Sequence, residues 1–418
     1  MRPCFRSSPP FTITRNAYYY FLYKVLYNFK NQIIHLNLKY VEVLDMWAVP
    51  PLFELYDCIQ KPSDPIGKRM RAAYFLRHHY EVNDKHKEGE EDQHDELMKE
   101  KIRSEIIQNL GIALKLSNHG SLLRHEFAYV LGQIRDPLAC SVLEDVLGDD
   151  AECVMVRHEC AEALGAIGDK RSLPLLQKLT NDDHFEVSET CGLAVDYMLL
   201  KTDVACACMM SPYNSVDPAP ASPEHANLSS KEIGIILLDS SLPLFERYRA
   251  MFSLRNRGGD ECAIELGEAL VKDQSSATFR HEVAYVLGQM QRDISVEALH
   301  ASLERPNEHR MVRHESAEAL GAIEGRWDDC ERILRKFMDD DDDVVRESCV
   351  VALDAADYFG HNDNENGCSE GSNESDAIEK SLTFAGSKAG GCKETYKGIE
   401  VGFEYGIEHV KRNHFNTV

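Results

Sequence analysis

One motif occurs four times in this chain at two fixed spacings, and this repetition restricts the possible folds more than any other feature. The tripeptide RHE carries His125, His158, His281 and His314. The interval from His125 to His158 is 33 residues, and so is the interval from His281 to His314. Corresponding copies are 156 residues apart. A fixed period of this length indicates a repeat protein, and the longer interval indicates that a whole half was duplicated.

The four copies occur in two alternating versions, RHE-x-AYVLGQ and MVRHE-x-AEALGAI. In the second version the apolar residues recur at helical spacing on one face. Gly168 and Asp169 then supply a stop and a turn, and Pro174 lies where the first turn of a following helix is expected. A further unit closes each half, VSETCGLAV at 187–195 and VRESCVVAL at 345–353. Each repeat is therefore predicted to be a helical hairpin.

A single helical hairpin cannot bury its apolar face, whereas stacked hairpins can. We therefore predict an all-α fold, an α-solenoid of two pseudo-symmetric halves around a dinuclear metal site. The charge-rich stretch 78–104 is expected to be a disordered insertion, and the Pro- and Ser-rich stretch 201–231 a flexible linker. The expected segments are an N-terminal extension of no assigned fold (1–45), the first half (46–200), the linker (201–231), the second half (232–358) and a disordered polar tail (359–418).

The charge balance favours a basic partner and disfavours nucleic acid. The chain has 70 acidic against 46 basic residues and a net charge of -24, a field that repels phosphate backbones. The aromatic stretch at residues 17–29 is shorter than the roughly 20 residues that cross a bilayer. The 13 cysteines do not form the pattern of a disulfide framework. We expect a cytoplasmic protein that does not contact membranes.

The His–Glu pairs are candidate metal ligands. Equivalent helices of adjacent repeats pack roughly 8–10 Å apart, so pairs from neighbouring helices can converge on one point. The two motif versions differ at most other positions yet keep Arg, His and Glu, which indicates a shared requirement. A zinc hydrolase of the HExxH type would need a second His at i+4, where this chain has Tyr129, Glu162, Tyr285 and Glu318. Two His and carboxylates per half are a mixed nitrogen–oxygen set typical of non-haem iron that activates O₂.

With these four pairs, their spacing and the duplicated half, the chain resembles deoxyhypusine hydroxylase over residues 46–358, a family of HEAT-repeat di-iron monooxygenases. The resemblance implies two Fe(II) ions per chain, O₂ as co-substrate, and hydroxylation of the deoxyhypusine side chain of eukaryotic translation initiation factor 5A to hypusine. It also implies a division of the ligands. One iron would be held by His125, His158 and Glu159, and the other by His281, His314 and Glu315.

The remaining carboxylates, Glu126 and Glu282, are implied to face the cationic amine of the substrate and to approach the metals as well. Charge-assisted hydrogen bonds from protonated amines to these carboxylates would orient the substrate arm. The arginines before each His are interpreted either as partners of the site carboxylates or as exposed residues at a helix edge. Met155 and Met311, three residues before a His, either pack in the core or line an oxygen pocket.

Two alternatives remain open on the sequence. The first is a non-enzymatic HEAT-repeat scaffold that binds a protein partner along a concave face and holds no metal. The second is a dinuclear zinc or manganese hydrolase that uses the same ligands.

Overall fold

The regular structure of the described residues is entirely helical. A computed structural model describes residues 50–84, 93–200 and 211–360, and within these ranges it contains sixteen α-helices, five short 3-10 helices and no strand. All of these residues lie in the first of the two compact units into which the chain divides. The prediction of an all-α repeat fold is confirmed.

The helices fall into two sets of eight, separated by residues 200–229. The first set is α1 Leu52–Ile59, α2 Ile66–Asp84, α3 Gln93–Lys115, α4 Ser121–Ile134, α5 Cys140–Leu147, α6 Val154–Ile167, α7 Leu173–Leu179 and α8 Phe185–Leu199. The second set is α9 Ser230–Leu238, α10 Leu244–Arg257, α11 Gly259–Lys272, α12 Ala277–Met290, α13 Val296–Glu304, α14 Arg310–Gly321, α15 Trp327–Phe337 and α16 Asp343–Gly360.

The even-numbered helices form one continuous row, here called the even row. Each packs against the next, from α2 to α16, and each odd-numbered helix packs against its neighbours in the row. Two of these contacts join the first half to the second. In one of them α8 contacts α10, and in the other α16 contacts α2, so that the end of the row lies against its beginning. The two hydrophobic cores are shared at these junctions: Met311 of α14 belongs to the core of the first half, and Leu193 of α8 to the core of the second.

Glycines in the repeated motif allow the even row to pack closely. A Cβ atom at Gly132 of α4 would lie 2.7 Å from the Cα of Ala163 on α6. A Cβ atom at Gly165 of α6 would lie 2.8 Å from the Cβ of Ala194 on α8. Both distances are shorter than side chains tolerate, so the Leu-Gly pair of the motif is a packing requirement. Gly168 ends α6 at φ 72°, as its predicted role as a helix stop requires.

The arginine before each RHE histidine is neither an exposed residue nor a partner of the site carboxylates, so both interpretations of it are wrong. Arg157 donates from Nε to the carbonyl of Leu147, the last residue of α5, at 2.9 Å, and from Nη2 to Asp182 at 2.6 Å. Arg313 makes the same pair of contacts with Leu303 and Asp340. These arginines satisfy carbonyls left unpaired at a helix end and bind a loop carboxylate of the next repeat.

The stretch 201–231 was expected to be a flexible linker, and this expectation is wrong for its described part. Residues 211–222 bridge the two halves: Val216 exchanges two backbone hydrogen bonds with the side chain of Gln133 on α4, and Ser215 accepts a bond from Gln289 on α12. Asp217 pairs with Arg255 of α10, and the Arg255 side chain is completely buried. The polar sequence is ordered here because side chains from both halves hydrogen-bond to it, and those from the second half are buried.

The expectation of disorder at 78–104 is also wrong for the described residues. The chain is helical up to Asp84 in α2 and again from Gln93 in α3. Tyr80 is buried and donates a hydrogen bond of 2.8 Å to Asp136. The charged residues of these helices face solvent on one side, whereas the other side of each helix packs against the repeat. Residues 85–92 lie outside the described residues, as do the extension predicted at 1–45, residues 201–210 and the tail from residue 361.

No helix within residues 50–84, 93–200 and 211–360 combines the length and the apolar character that a bilayer crossing requires. Met155 and Met311 are both buried in the hydrophobic cores, in line with the packing interpretation of these two residues. The cysteines among these residues are free thiols.

The bridge at residues 211–222 yields a stability prediction. Replacing Asp217→Ala leaves the Arg255 guanidinium buried without its carboxylate, which hydrogen-bonds to it at 2.7 Å. Removing one partner of such a pair costs about 3–5 kcal/mol, so the urea midpoint should fall markedly. Lys272→Ala is the control, because its pair with Glu268 is exposed and worth under about 1 kcal/mol. Equal midpoints for Asp217→Ala and the wild type would contradict the proposed contribution of the bridge.

Candidate metal centre

The fold brings the four RHE histidines to the same level of the even row. Each is the fifth residue of its helix: His125 in α4, His158 in α6, His281 in α12 and His314 in α14. Their exposed fractions are between 0% and 5%. Because each helix begins at the same point relative to its motif, the imidazoles project from four neighbouring helices toward one region.

The imidazole rings lie within contact distance of one another. The ring centroids of His125 and His158 are 6.3 Å apart and the rings are nearly parallel. Across the two halves, His125 lies 5.3 Å from His314, and His158 lies 5.3 Å from His281. His281 and His314 are also 5.3 Å apart. The four histidines, 189 residues apart at most in the sequence, thus form one buried cluster between the halves.

Carboxylates of the same motif lie among these rings. Glu159 Oε2 is 2.9 Å from His125 Nε2 and 3.8 Å from His158 Nε2. Glu315 Oε2 is 3.6 Å from His281 Nε2. Glu126 Oε1 is 3.3 Å from His125 Nδ1, and its other oxygen accepts a 2.6 Å hydrogen bond from the Tyr74 hydroxyl. All of these side chains are buried, so any charge they carry is held away from water.

Three overlapping groups of side chains within this cluster could hold a metal ion, because their ligand atoms lie within 4.8 Å of one another. The first is His125, His158 and Glu159, the set expected for one ion. The set expected for the other ion is divided between two groups, His125 with His281 and His314, and His314 with Glu315 and Glu318. Glu318 is a member of this cluster that the sequence interpretation left out.

The electrostatics of the cluster favour a bound cation. Burial lowers the pKa of His125, but the carboxylates of Glu159 and Glu126 outweigh it and hold that pKa well above its ordinary value. Burial, with further contributions from Glu162 and Asp217, raises the pKa of Glu282 well above its usual range. A field that favours a proton on His125 and opposes a further negative charge on Glu282 also favours a metal cation. The donor set and this field therefore fit a metal of the nitrogen–oxygen class.

His158 and His314, like His125 with Glu126, have a polar side chain beside Nδ1. His158 Nδ1 is 2.6 Å from the hydroxyl of Thr190, while its Nε2 has no hydrogen-bond partner among the described residues. Burial lowers the pKa of His158 to about 4, so the ring is neutral at neutral pH and can ligate a metal. His314 Nδ1 lies 3.5 Å from Glu318 Oε1.

The i+4 positions, where an HExxH zinc site would need its second histidine, have other contacts. The hydroxyls of Tyr129 and Tyr285 lie 3.0 Å apart and join the halves, and Gln289 donates to Tyr285. Glu318 accepts a hydrogen bond of 3.2 Å from Ser348. The sequence contained a signal for these residues, since they recur at one offset from each His, but the offset alone does not show which atom each side chain faces.

Comparison with known proteins gives concordant matches. A family description for HEAT repeats matches residues 112–195 and 263–354. Deoxyhypusine hydroxylase of Drosophila pseudoobscura pseudoobscura is 43% identical over 272 residues, 63% of this chain and 88% of the relative. The enzyme of that name from Mus musculus is 49% identical over 253 residues, 60% of this chain and 82% of the relative. The structure of human deoxyhypusine hydroxylase in complex with glycerol matches with a TM-score of 0.63 and 42% identity, covering 73% of this chain and 96% of that one.

The matched repeats contain all four RHE motifs, two in each range. The relatives are named as hydroxylases, and nothing in these matches favours a non-enzymatic scaffold. Their resemblance covers most of the length of each relative, so it extends beyond a single shared repeat. The chain therefore belongs to the deoxyhypusine hydroxylase family and is a hydroxylating enzyme, a monooxygenase.

Proposed function

We propose that this enzyme hydroxylates the deoxyhypusine side chain of eukaryotic translation initiation factor 5A to hypusine, with O₂ as co-substrate and two Fe(II) ions per chain. The observation that carries the proposal is the cluster of four buried imidazoles with carboxylates from both halves. The names of the relatives supply the substrate side chain. The proposed location is the cytoplasm, since the described cysteines are free thiols, as is usual in a reducing compartment.

Six residues would hold the metals. His125, His158 and Glu159 serve one ion, and their ligand atoms lie within 4.8 Å of one another. His281, His314 and Glu315 serve the other, supported by the 3.6 Å distance between His281 Nε2 and Glu315 Oε2. When bound, a redox-active iron pair would supply two of the four electrons that full reduction of O₂ requires, and the C–H bond that is hydroxylated supplies the other two. The protein's own contribution is to hold these side chains in a buried site from which water is excluded.

Glu126 and Glu282 would bind the substrate and act as its catalytic carboxylates. Both belong to the same motif version, one in each half, and both are buried beside the cluster. The deoxyhypusine arm carries protonated amines, which form charge-assisted hydrogen bonds with carboxylates. The hydroxyl of Tyr74, at 2.6 Å from Glu126, fixes the direction of that carboxylate. Holding the arm at both ends of the cluster would align the carbon to be hydroxylated.

The charge of the chain supports a protein substrate with a basic surface. The net charge of -24 attracts a basic loop and increases the rate of encounter at low ionic strength. The same field disfavours nucleic acid as a partner.

The direct test is an assay on the deoxyhypusine form of the factor with the full chain, Fe(II), a reductant and air. We expect mass spectrometry to show the addition of one oxygen atom at the modified lysine. Omission of iron or of O₂ should abolish it. If no oxygen is added although two iron ions are bound, the substrate proposal is wrong. Activity that requires zinc or manganese and no O₂ would instead support the hydrolase alternative.

Removal of a single imidazole tests the ligand assignment. His158→Ala and His314→Ala should each lose bound iron and activity together, because each takes a ligand from a different ion. Metal analysis of the purified variants measures this directly. A matched control is His300→Ala, which changes a histidine of α13 that lies near Glu304 at the protein surface. Retention of two iron ions in His158→Ala would show that this residue is not a ligand.

The substrate role of Glu126 predicts a different outcome. Glu126→Gln keeps the size of the side chain but removes its charge, and a hydrogen bond to a charged group is worth about 1.5–3 kcal/mol, roughly a tenfold or larger rise in KM. Iron content should remain near that of the wild type. Glu282→Gln is the matched variant in the other half and should behave alike. If Glu126→Gln lost its iron while KM stayed constant, Glu126 would be a metal ligand instead.

A further inference from the structure

The two halves hold their equivalent histidines by different outer contacts. His158 and His314 occupy the same place in the duplicated motif, and each is followed four residues later by a glutamate, Glu162 or Glu318. The closing units also correspond, so that Thr190 and Ser348 fall at the same place in VSETC and VRESC. The sequence therefore offers both halves the same two kinds of side chain, a carboxylate and a hydroxyl.

In the first half the hydroxyl makes the contact. Thr190 Oγ1 lies 2.6 Å from His158 Nδ1 and also donates to the carbonyl oxygen of Glu186 at 2.8 Å. Because the hydroxyl has one proton and a carbonyl can only accept, Thr190 accepts its second bond from Nδ1–H of His158. The ring is thereby held with Nε2 unprotonated and directed at the cluster. Glu162 instead lines a small cavity together with Thr190 and Val216.

In the second half the carboxylate makes the contact. Glu318 Oε1 lies 3.5 Å from His314 Nδ1, and the same oxygen accepts a 3.2 Å hydrogen bond from Ser348. Glu318 and Ser348 are buried, with exposed fractions of 2% and 0%. The hydroxyl of the closing unit thus supports the carboxylate here and does not touch the histidine.

We infer that Glu318 and Thr190 are positioning residues that make the two metal positions unequal. This inference rests on the proposed dinuclear centre. A carboxylate behind a ligating imidazole makes the ring a stronger electron donor than a neutral hydroxyl does, and loss of such an outer partner weakens metal binding by about 10–100-fold. Unequal affinities would let one ion bind before the other.

The test is an anaerobic titration of the metal-free full chain with Co(II), whose visible absorption reports occupancy, in competition with a chelator. We expect two ions to bind the wild type in two phases of different affinity. Glu318→Gln should still bind two ions, with one phase weakened by about 10–100-fold and its absorption band shifted. Ser348→Ala should weaken the same phase less, and Thr190→Val should weaken only the other phase.

Glu162→Gln is the matched control for Glu318→Gln, since it makes the same change at the equivalent place, and both phases should persist in it. Two equal phases in the wild type would overturn this inference alone. Loss of one ion in Glu318→Gln would overturn it too, because Glu318 would then be a direct ligand. Binding of fewer than two ions by the wild type would overturn the dinuclear centre and this inference together.

Discussion

The arginine that precedes the RHE histidine fixes the height of the metal-binding side chains in three of the four motifs. In the even row, Arg124, Arg157 and Arg313 tie the start of their helix to a carbonyl in the last turn of the preceding helix and to a carboxylate in the next repeat. The histidine is the next residue, so its level is set by three hydrogen-bonded elements rather than by one helix. Without this constraint, four helices from two halves would have no reason to present their imidazoles at one level.

The meeting of the halves is the second requirement, because each half supplies only half of the cluster. The halves meet at two junctions of the even row, α8 with α10 and α16 with α2, and the tyrosine hydroxyls of α4 and α12 lie in contact across the halves. The bridge at residues 211–222 adds hydrogen bonds to Gln133 and Gln289, the last residues of the two RHE-x-AYVLGQ motifs. The shared length of the two copies of this motif is thus explained at one end by the cluster and at the other by the bridge.

Most of the fold and the composition of the candidate site could be predicted from the repeat. Local sequence pattern predicts the helical period, the stop at Gly168 and the four His–Glu pairs. Because the sequence is repeated, each pattern occurs several times in the chain. Apart from the two interpretations of the motif arginines, the predictions that failed concern stretches judged by composition alone. The polar residues around Asp217 are ordered because Arg255, far away in sequence, is buried against them, and the charged run near Tyr80 is helical because one side of it packs. The amino-acid composition of a stretch does not show which distant residues will contact it.

The sequence by itself determined a duplicated helical repeat with four His–Glu pairs, since 3.6-residue periodicity and fixed spacing act within each repeat. Only the tertiary structure decided how equivalent side chains are used. Thr190 contacts its histidine directly, whereas Ser348 contacts Glu318, which in turn faces His314. The physical reason is that a hydrogen bond depends on distances between atoms on different helices. Two halves with nearly the same motif pack against different surroundings, so a hydroxyl makes the contact in one and a carboxylate in the other.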